Sequence, residues 1–251
     1  MEVKLLNTMG TDATIIDSAR VSYNSGKVVS KDRDLIRYLL RNKHTSPFEM
    51  IETQWYVKAP IFVFRQWHRH RTWSYNEVSA RYSVLPCEFY IPHVLNEQSK
   101  DNKQGSGGPL SDSGKLKSEM QESCNASYKQ YERLLEAGVS REIARSVLPV
   151  NIYSKMIAKV DLWNLMHFLN LRLHPHAQGE IRSLAKQMHK LAALKFPLAM
   201  EAFDDYILGA MSLSVLEQEG TVDNMSKREQ LEYESKTNIL TDSGLLLNPQ
   251  G

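Results

Sequence analysis

Residues 68–82 read HRHRTWSYNEVSARY. Two histidines alternate with two arginines, aromatic side chains follow, and Glu77 is the only carboxylate. With Arg65 and Arg81 included, Arg69 and Arg71 belong to a set of four arginines facing that single acid. Guanidinium forks match the oxygens of phosphates, and Ser74, Ser79 and the backbone N–H groups of a tight polar turn add neutral donors. The pattern points to a ligand that is anionic and planar. The plain alternative is a solvated basic face carrying surface ion pairs, the usual fate of charge runs. The apolar segment that feeds the cluster and the small and aromatic neighbours of Arg81 favour a site.

Two further stretches carry chemistry. In LRLHPHAQ, residues 171–178, Arg172 ends a segment that is otherwise apolar, and a buried arginine needs a partner. Asp161 precedes it by a distance of roughly 16 Å along a helix axis, a poor fit for an ion pair, which leaves Arg172 free to hold a ligand anion. HTSPFEM, residues 44–50, reads as a turn with donors such as His44 and Ser46, or simply as a helix-to-strand connection. His44, His68, His70, His167, His174 and His176 show no HExxH or CxxC–H spacing, so no metal site is expected. There is no GxSxG for a hydrolase, and no P-loop or GxGxxG. A nucleotide would have to be held by side chains.

The elements that must position these residues follow from periodicity. Residues 2–6 read as a strand, and TDATIIDSARVSY as a capped helix. DRDLIRYLLRNKH is a helix with Asp32 as its cap and an apolar stripe of Leu35, Ile36, Leu39 and Leu40. Residues 51–58 alternate Ile51, Thr53, Trp55 and Val57 with polar partners, as a strand does. Pro60 suits a first helical position, so a helix is expected over about 60–69, delivering the basic cluster at its end. A strand is expected near 87–91. Residues 96–114 hold one large apolar residue, Leu110, and read as a flexible surface insertion. A long helix ended by Gly138, a short one from Ser140 to Pro149, a strand over VNIYSKMIAKV, a buried helix over DLWNLMHFLNLRL and an amphipathic helix bearing Ile181, Leu184, Ala185, Met188, Leu191 and Ala192 complete the reading. From about 213 the chain turns polar and reads as a partly disordered tail or exposed arm. The class is α+β, with helices around a modest, mainly antiparallel sheet, in a single domain over 1–251.

Composition bounds the rest. The 251 residues carry a net charge of +2, too little for wholesale wrapping of nucleic acid. Two cysteines, Cys87 and Cys124, lack a CxxC spacing and suggest a reducing compartment. No signal peptide and no apolar run of bilayer length is evident. A soluble, cytoplasmic protein is expected, without membrane or nucleic-acid partners.

Arg69-His70-Arg71, seven residues and then Ser79 resembles the signature of flavin-dependent thymidylate synthases. The fuller pattern RHRxxSxNExSxRY is matched from Arg69 through Tyr82. The likeness extends to HTSPFE, to VKAPIFVFRQW, to ARSVLPVNIY at 144–153 and to LMHFLNLRLHPHAQGEIR at 165–182. It implies an α+β homotetramer with active sites built by several subunits. The implied reaction makes dTMP from dUMP, with methylenetetrahydrofolate as carbon donor, FAD as hydride carrier and NADPH as the common reductant.

By position, Arg69, His70 and Arg71 match FAD-holding residues, and His44 and Ser46 match residues reaching the flavin from a neighbouring subunit. Glu77 matches a residue shared between FAD and dUMP. Gln66, Arg69, Ser79 and Arg81, the backbone of Val78, Ser79, Ala80 and Arg81, and Arg145 and Arg172 match the dUMP site. Arg172 matches the arginine credited with activating the uracil ring. Asp161, Leu162, Trp163, His167 and His176 match further FAD contacts. Met50 and Trp163 stand where a histidine and a basic residue are common, and His174 where a short polar residue is common. The competing reading is a single-stranded nucleic-acid binder using the same basic and aromatic side chains. It accounts for residues 65–82 but not for Arg172 or the second matching segment.

Overall fold

The computed structural model describes residues 1–21, 31–100 and 105–242. In chain order the elements are β1 (Glu2–Met9), α1 (Asp12–Arg20), α2 (Asp32–Arg41), α3 (Ser46–Glu49), β2 (Glu52–Pro60), α4 (Ile61–Trp67) and β3 (Ser74–Glu77). There follow β4 (Asn96–Gln98), β5 (Ser106–Pro109), α5 (Gly114–Glu136), α6 (Arg141–Ala144), β6 (Tyr153–Asp161), α7 (Leu162–Leu173), α8 (Gly179–Lys195), α9 (Pro197–Phe203), α10 (Val215–Glu219) and α11 (Lys227–Asp242). Two compact units form, one over Met1–Asp204 and one from Asp205 onward.

In the first unit β1, β2, β6 and β3 pair in that order, every pair antiparallel. The period of two decides which face is buried. Thr53, Trp55, Val57 and Ala59 of β2 lie opposite Val160, Ala158, Met156 and Ser154 of β6, and all eight are buried. Thr53 is tolerated there because its hydroxyl donates to the Val160 carbonyl at 2.8 Å and accepts from the Trp55 indole at 2.8 Å. Helices α4, α7 and α8 pack against the sheet. Each large side chain fully buried between these layers, such as Trp55, Trp67 and Phe168, contributes about 2–3 kcal/mol.

The alternating and amphipathic elements lie where the sequence predicts them. The long helix α5 ends in a Schellman turn: Val139 N–H donates to Leu134 O and Gly138 N–H to Leu135 O, with Gly138 at φ +84°. Three local expectations are corrected. Asp32 is the first residue of α2 rather than its cap, which is Lys31, and it pairs with Arg20 at 2.8 Å. Pro60 closes β2, so α4 begins at Ile61 and stops at Trp67. Around 87–91 only a single bridge, Phe89 to Ile152, replaces the expected strand. The 96–114 insertion contains the exposed hairpin β4–β5, with residues 101–104 of it outside the described residues. The polar tail is helical at α10 and α11, where Glu217 receives Lys236 at 2.6 Å. Among the described residues no helix is long and apolar enough to cross a membrane.

Candidate active site

Helix α4 is anchored at both ends by groups from elsewhere. Its first N–H groups have no partner within the helix. Ile61 N–H donates instead to Ile152 O at 3.1 Å and Phe62 N–H to Val150 O at 3.0 Å. At the other end, Gln66 O accepts from Arg172 Nη2 at 3.0 Å, and Trp67 O accepts from His70 N–H at 2.9 Å and from the Tyr75 hydroxyl at 3.1 Å. A cation at a helix C-terminus also meets the negative end of the helix dipole. The same Tyr75 hydroxyl lies 2.8 Å from His70 O, and burial pushes its ionisation up.

The turn expected after the basic cluster contains a strand. SYNE forms β3 at the edge of the sheet, with Tyr75 opposite Ala158 and Glu77 opposite Met156. Those partners belong to the buried face, so Tyr75 and Glu77 point inward while Ser74 and Asn76 are exposed. Glu77 accepts a hydrogen bond from Ser154 Oγ at 2.7 Å. Beyond it, Val78 N–H donates to Lys155 O at 2.9 Å, and Tyr82 N–H and Ser83 N–H both turn back to Ser79 O.

Arg172 is half-buried at the last turn of α7 and its Nε donates to His70 Nε2 at 3.0 Å. Among the described residues it meets no carboxylate, and burial lowers its pKa from the usual arginine value. The expectation of an unpartnered Arg172 is corrected: two neutral acceptors hold it, and its charge is uncompensated. His70 is buried, and its pKa is pushed down to about 4, first by burial and then by the charges of Arg172 and His167. Since arginine can only donate, the neutral imidazole accepts on Nε2 and carries its proton on Nδ1. Phe168 packs against the His70 ring at 4.8 Å, and Trp67 against Phe168 at 4.6 Å.

A cavity of about 540 Å³ opens along α4. Arg65 from α4 and His68 just after it, Glu77 and Val78 from the motif, Glu142, Arg145 and Ser146, and Ser154 from β6 line it, over an apolar floor that includes Ile61 and Leu148. Ala80 also lines it, but its methyl is buried against Leu85 and Ile152. Neither cysteine lines this cavity. Arg81 and Arg145 both meet Glu142: Arg81 Nη2 is 3.2 Å from its carboxylate and Arg145 Nε 3.4 Å from its carbonyl.

The remaining sequence-predicted residues lie outside that lining. Gln66 hydrogen-bonds Gln178. Arg69 and Arg71 are exposed, with no hydrogen bond or ion pair among the described residues. His44 is exposed against the Tyr38 ring, and exposed Ser46 opens α3. Asp161 caps α7 by accepting from Asn164 N–H at 2.9 Å. Leu162 is fully buried and Trp163 half-buried, while His167 is exposed, 6.1 Å from the His70 ring. His176 is exposed and its N–H donates to His174 Nδ1 at 3.2 Å.

This arrangement can be set against known proteins. The family described as thymidylate synthase complementing protein matches residues 4–198. A flavin-dependent thymidylate synthase of Thermus thermophilus is 49% identical over 213 residues, covering 84% of this chain and 78% of the relative. The chain belongs to the flavin-dependent thymidylate synthase family. A member from Dictyostelium discoideum is 44% identical over 238 residues, covering 91% of this chain and 78% of its own. Among solved structures, the UMP/dUMP methylase PolB from Streptomyces cacaoi, bound with 5-Br dUMP, superposes with a TM-score of 0.76 at 37% identity. It covers 82% of this chain and 96% of that one.

For a flavin-dependent thymidylate synthase, the site residues implied by the resemblance leave out five polar residues that line the cavity: Arg65, which belongs to the basic cluster all the same, and His68, Glu142, Ser146 and Ser154. Arg65 and His68 stand three apart, one helical turn, so their shared face is legible once α4 is placed. Ser154 leaves no mark except its place in the alternation of β6, where a small polar residue interrupts an apolar face.

Proposed function

We propose that this enzyme makes dTMP from dUMP by reductive methylation, with FAD as redox cofactor, methylenetetrahydrofolate as carbon donor and NADPH as reductant. The observation that carries this reading is the meeting of both halves of the matched sequence. Glu77 and Val78 share one cavity with Arg145, and His70, two residues from cavity-lining His68, is bonded to Arg172. The binding of 5-Br dUMP by the similar methylase supports the choice of nucleotide.

The residues fit the ligands by their donors. Arg81 and Arg145 would take the nucleotide phosphate, replacing contacts now made to Glu142, with Gln66, Arg69, Ser79 and the backbone from Val78 through Ala80 to Arg81 completing the site. Arg69 and Arg71, without partners among the described residues, suit a pyrophosphate. Nδ1–H of His70, with Glu77 and the exposed His44, Ser46, His167 and His176, offers polar contacts to the heteroatom edge of a flavin. Asp161, buried Leu162 and Trp163 would contribute backbone or the indole at the start of α7. His44, Ser46, Arg69 and Arg71 are exposed on one chain, which supports a homotetramer whose sites draw on several subunits. The setting is the cytoplasm.

Reduced flavin, when bound, supplies methylene transfer and the hydride. The chain supplies orientation and charge. Arg172 is fixed by His70 Nε2 and Gln66 O, so its remaining N–H groups are preorganised to stabilise negative charge on the uracil ring. No protein nucleophile is required.

The test is spectroscopic. The purified protein with FAD is bleached anaerobically by NADPH, with and without dUMP. Bleaching that accelerates with dUMP supports a shared site. A protein that retains no flavin would overturn the reading and restore the nucleic-acid alternative, whose affinity would fall steeply with salt.

A further inference from the structure

We propose that Ser154 is a positioning residue that keeps Glu77 off the cavity's arginines and presents it to the ligands. This rests on the reading of Glu77 as the carboxylate shared between flavin and nucleotide. Sheet register creates the contact. Glu77 lies opposite Met156, and Ser154 is two residues before Met156 on β6, so the two side chains are diagonal neighbours on one face. Ser154 is 3% exposed, opposite fully buried Ala59, and its hydroxyl donates to Glu77 Oε1 at 2.7 Å.

The need for such a bond comes from charge. Arg65 and Arg145 line the same cavity as Glu77, yet among the described residues Glu77 forms no ion pair. A glutamate on an edge strand has several rotamers, and an unanchored one would swing to the nearest guanidinium and neutralise it. The Ser154 hydroxyl is a neutral donor on a rigid central strand. It fixes one carboxylate oxygen, leaves Oε2 without a partner among the described residues, and leaves both arginines for the ligand's anion.

The test compares Ser154→Thr with Ser154→Val, which have nearly the same shape, both suit a strand, and differ by the hydroxyl. Loss of a hydrogen bond to a charged group should raise the dUMP KM of Ser154→Val about tenfold, while Ser154→Thr restores the donor and stays near wild type. On a Glu77→Gln background, Ser154→Val should change KM by no more than about twofold, because it acts through Glu77. Crystal structures of the two variants should show the Glu77 carboxylate displaced toward an arginine only in Ser154→Val. Equal KM values for Thr and Val, or an undisplaced Glu77 in Ser154→Val, would overturn the proposal. If wild-type protein binds no dUMP, the functional reading fails, and the Glu77 position in the two crystal structures still decides the role of Ser154.

Discussion

Arg172 and His70 form the central pair of side chains, and each depends on the other being what it is. The guanidinium reaches two acceptors on different groups from two separate nitrogens, Nε and Nη2, whereas an ammonium would have to serve both from one nitrogen. Arg172→Lys should lower dTMP formation by about a hundredfold, as loss of a preorganised donor does, while the flavin spectrum of the variant stays close to wild type. Product chromatography and the visible spectrum together check this. His70 makes a second prediction. Its pKa in the folded chain is about 4, against 6.5 for a free histidine. Above pH 6.5 neither state binds the proton, and no stability is at stake. As pH falls from 6.5 toward 4, the unfolded chain takes up a proton that the folded one refuses, and stability falls by about 3 kcal/mol from this group. Denaturant midpoints of His70→Gln should lose that share of the acid sensitivity; an unchanged acid slope would exclude it. The basic cluster itself was legible because charge density is local in sequence. The partners of Arg172 were not, since they lie 102 and 106 positions away and are neutral.

Elements with strong periodicity were readable for a physical reason. Strands β2 and β6 bury one face, α8 buries one stripe, and each pattern is imposed by the core. From sequence alone β3 reads as a turn because its four residues put only Tyr75 and Glu77 inward, and one of those is charged. Its strand geometry comes from pairing with β6, which no local propensity reports. The Tyr75 hydroxyl then ties this strand to the end of α4 through Trp67 O and His70 O. Tyr75→Phe removes that tie, so stability should drop by about 1–2 kcal/mol in denaturant titration, with weaker flavin retention. Retention equal to wild type would mean the loop holds its shape without that tie. Within the exposed 96–114 insertion, the hairpin leaves no mark in the sequence because Gly-rich exposed strands carry no apolar alternation.

Across the whole molecule, the matched family covers residues 4–198, inside the first compact unit, and the second unit begins at Asp205. The proposed sharing of sites between subunits has a direct consequence. Mixed assemblies of His44→Ala and Arg172→Ala, each weak alone, should recover activity toward about a quarter of wild type, since random mixing leaves that share of sites intact. No recovery in coexpressed mixed tetramers would argue for sites contained in one chain. The α+β class and the two matched segments were legible from sequence, whereas the cavity that unites them depends on the crossing of α4 with residues 150–152. The most direct measurement is dTMP formation by the purified protein from dUMP, methylenetetrahydrofolate and NADPH, with bound FAD present or stripped. dTMP is expected only when flavin is present, with activity returning on adding FAD back. Failure of the flavin-loaded protein to form dTMP, or equal formation without flavin, would contradict it.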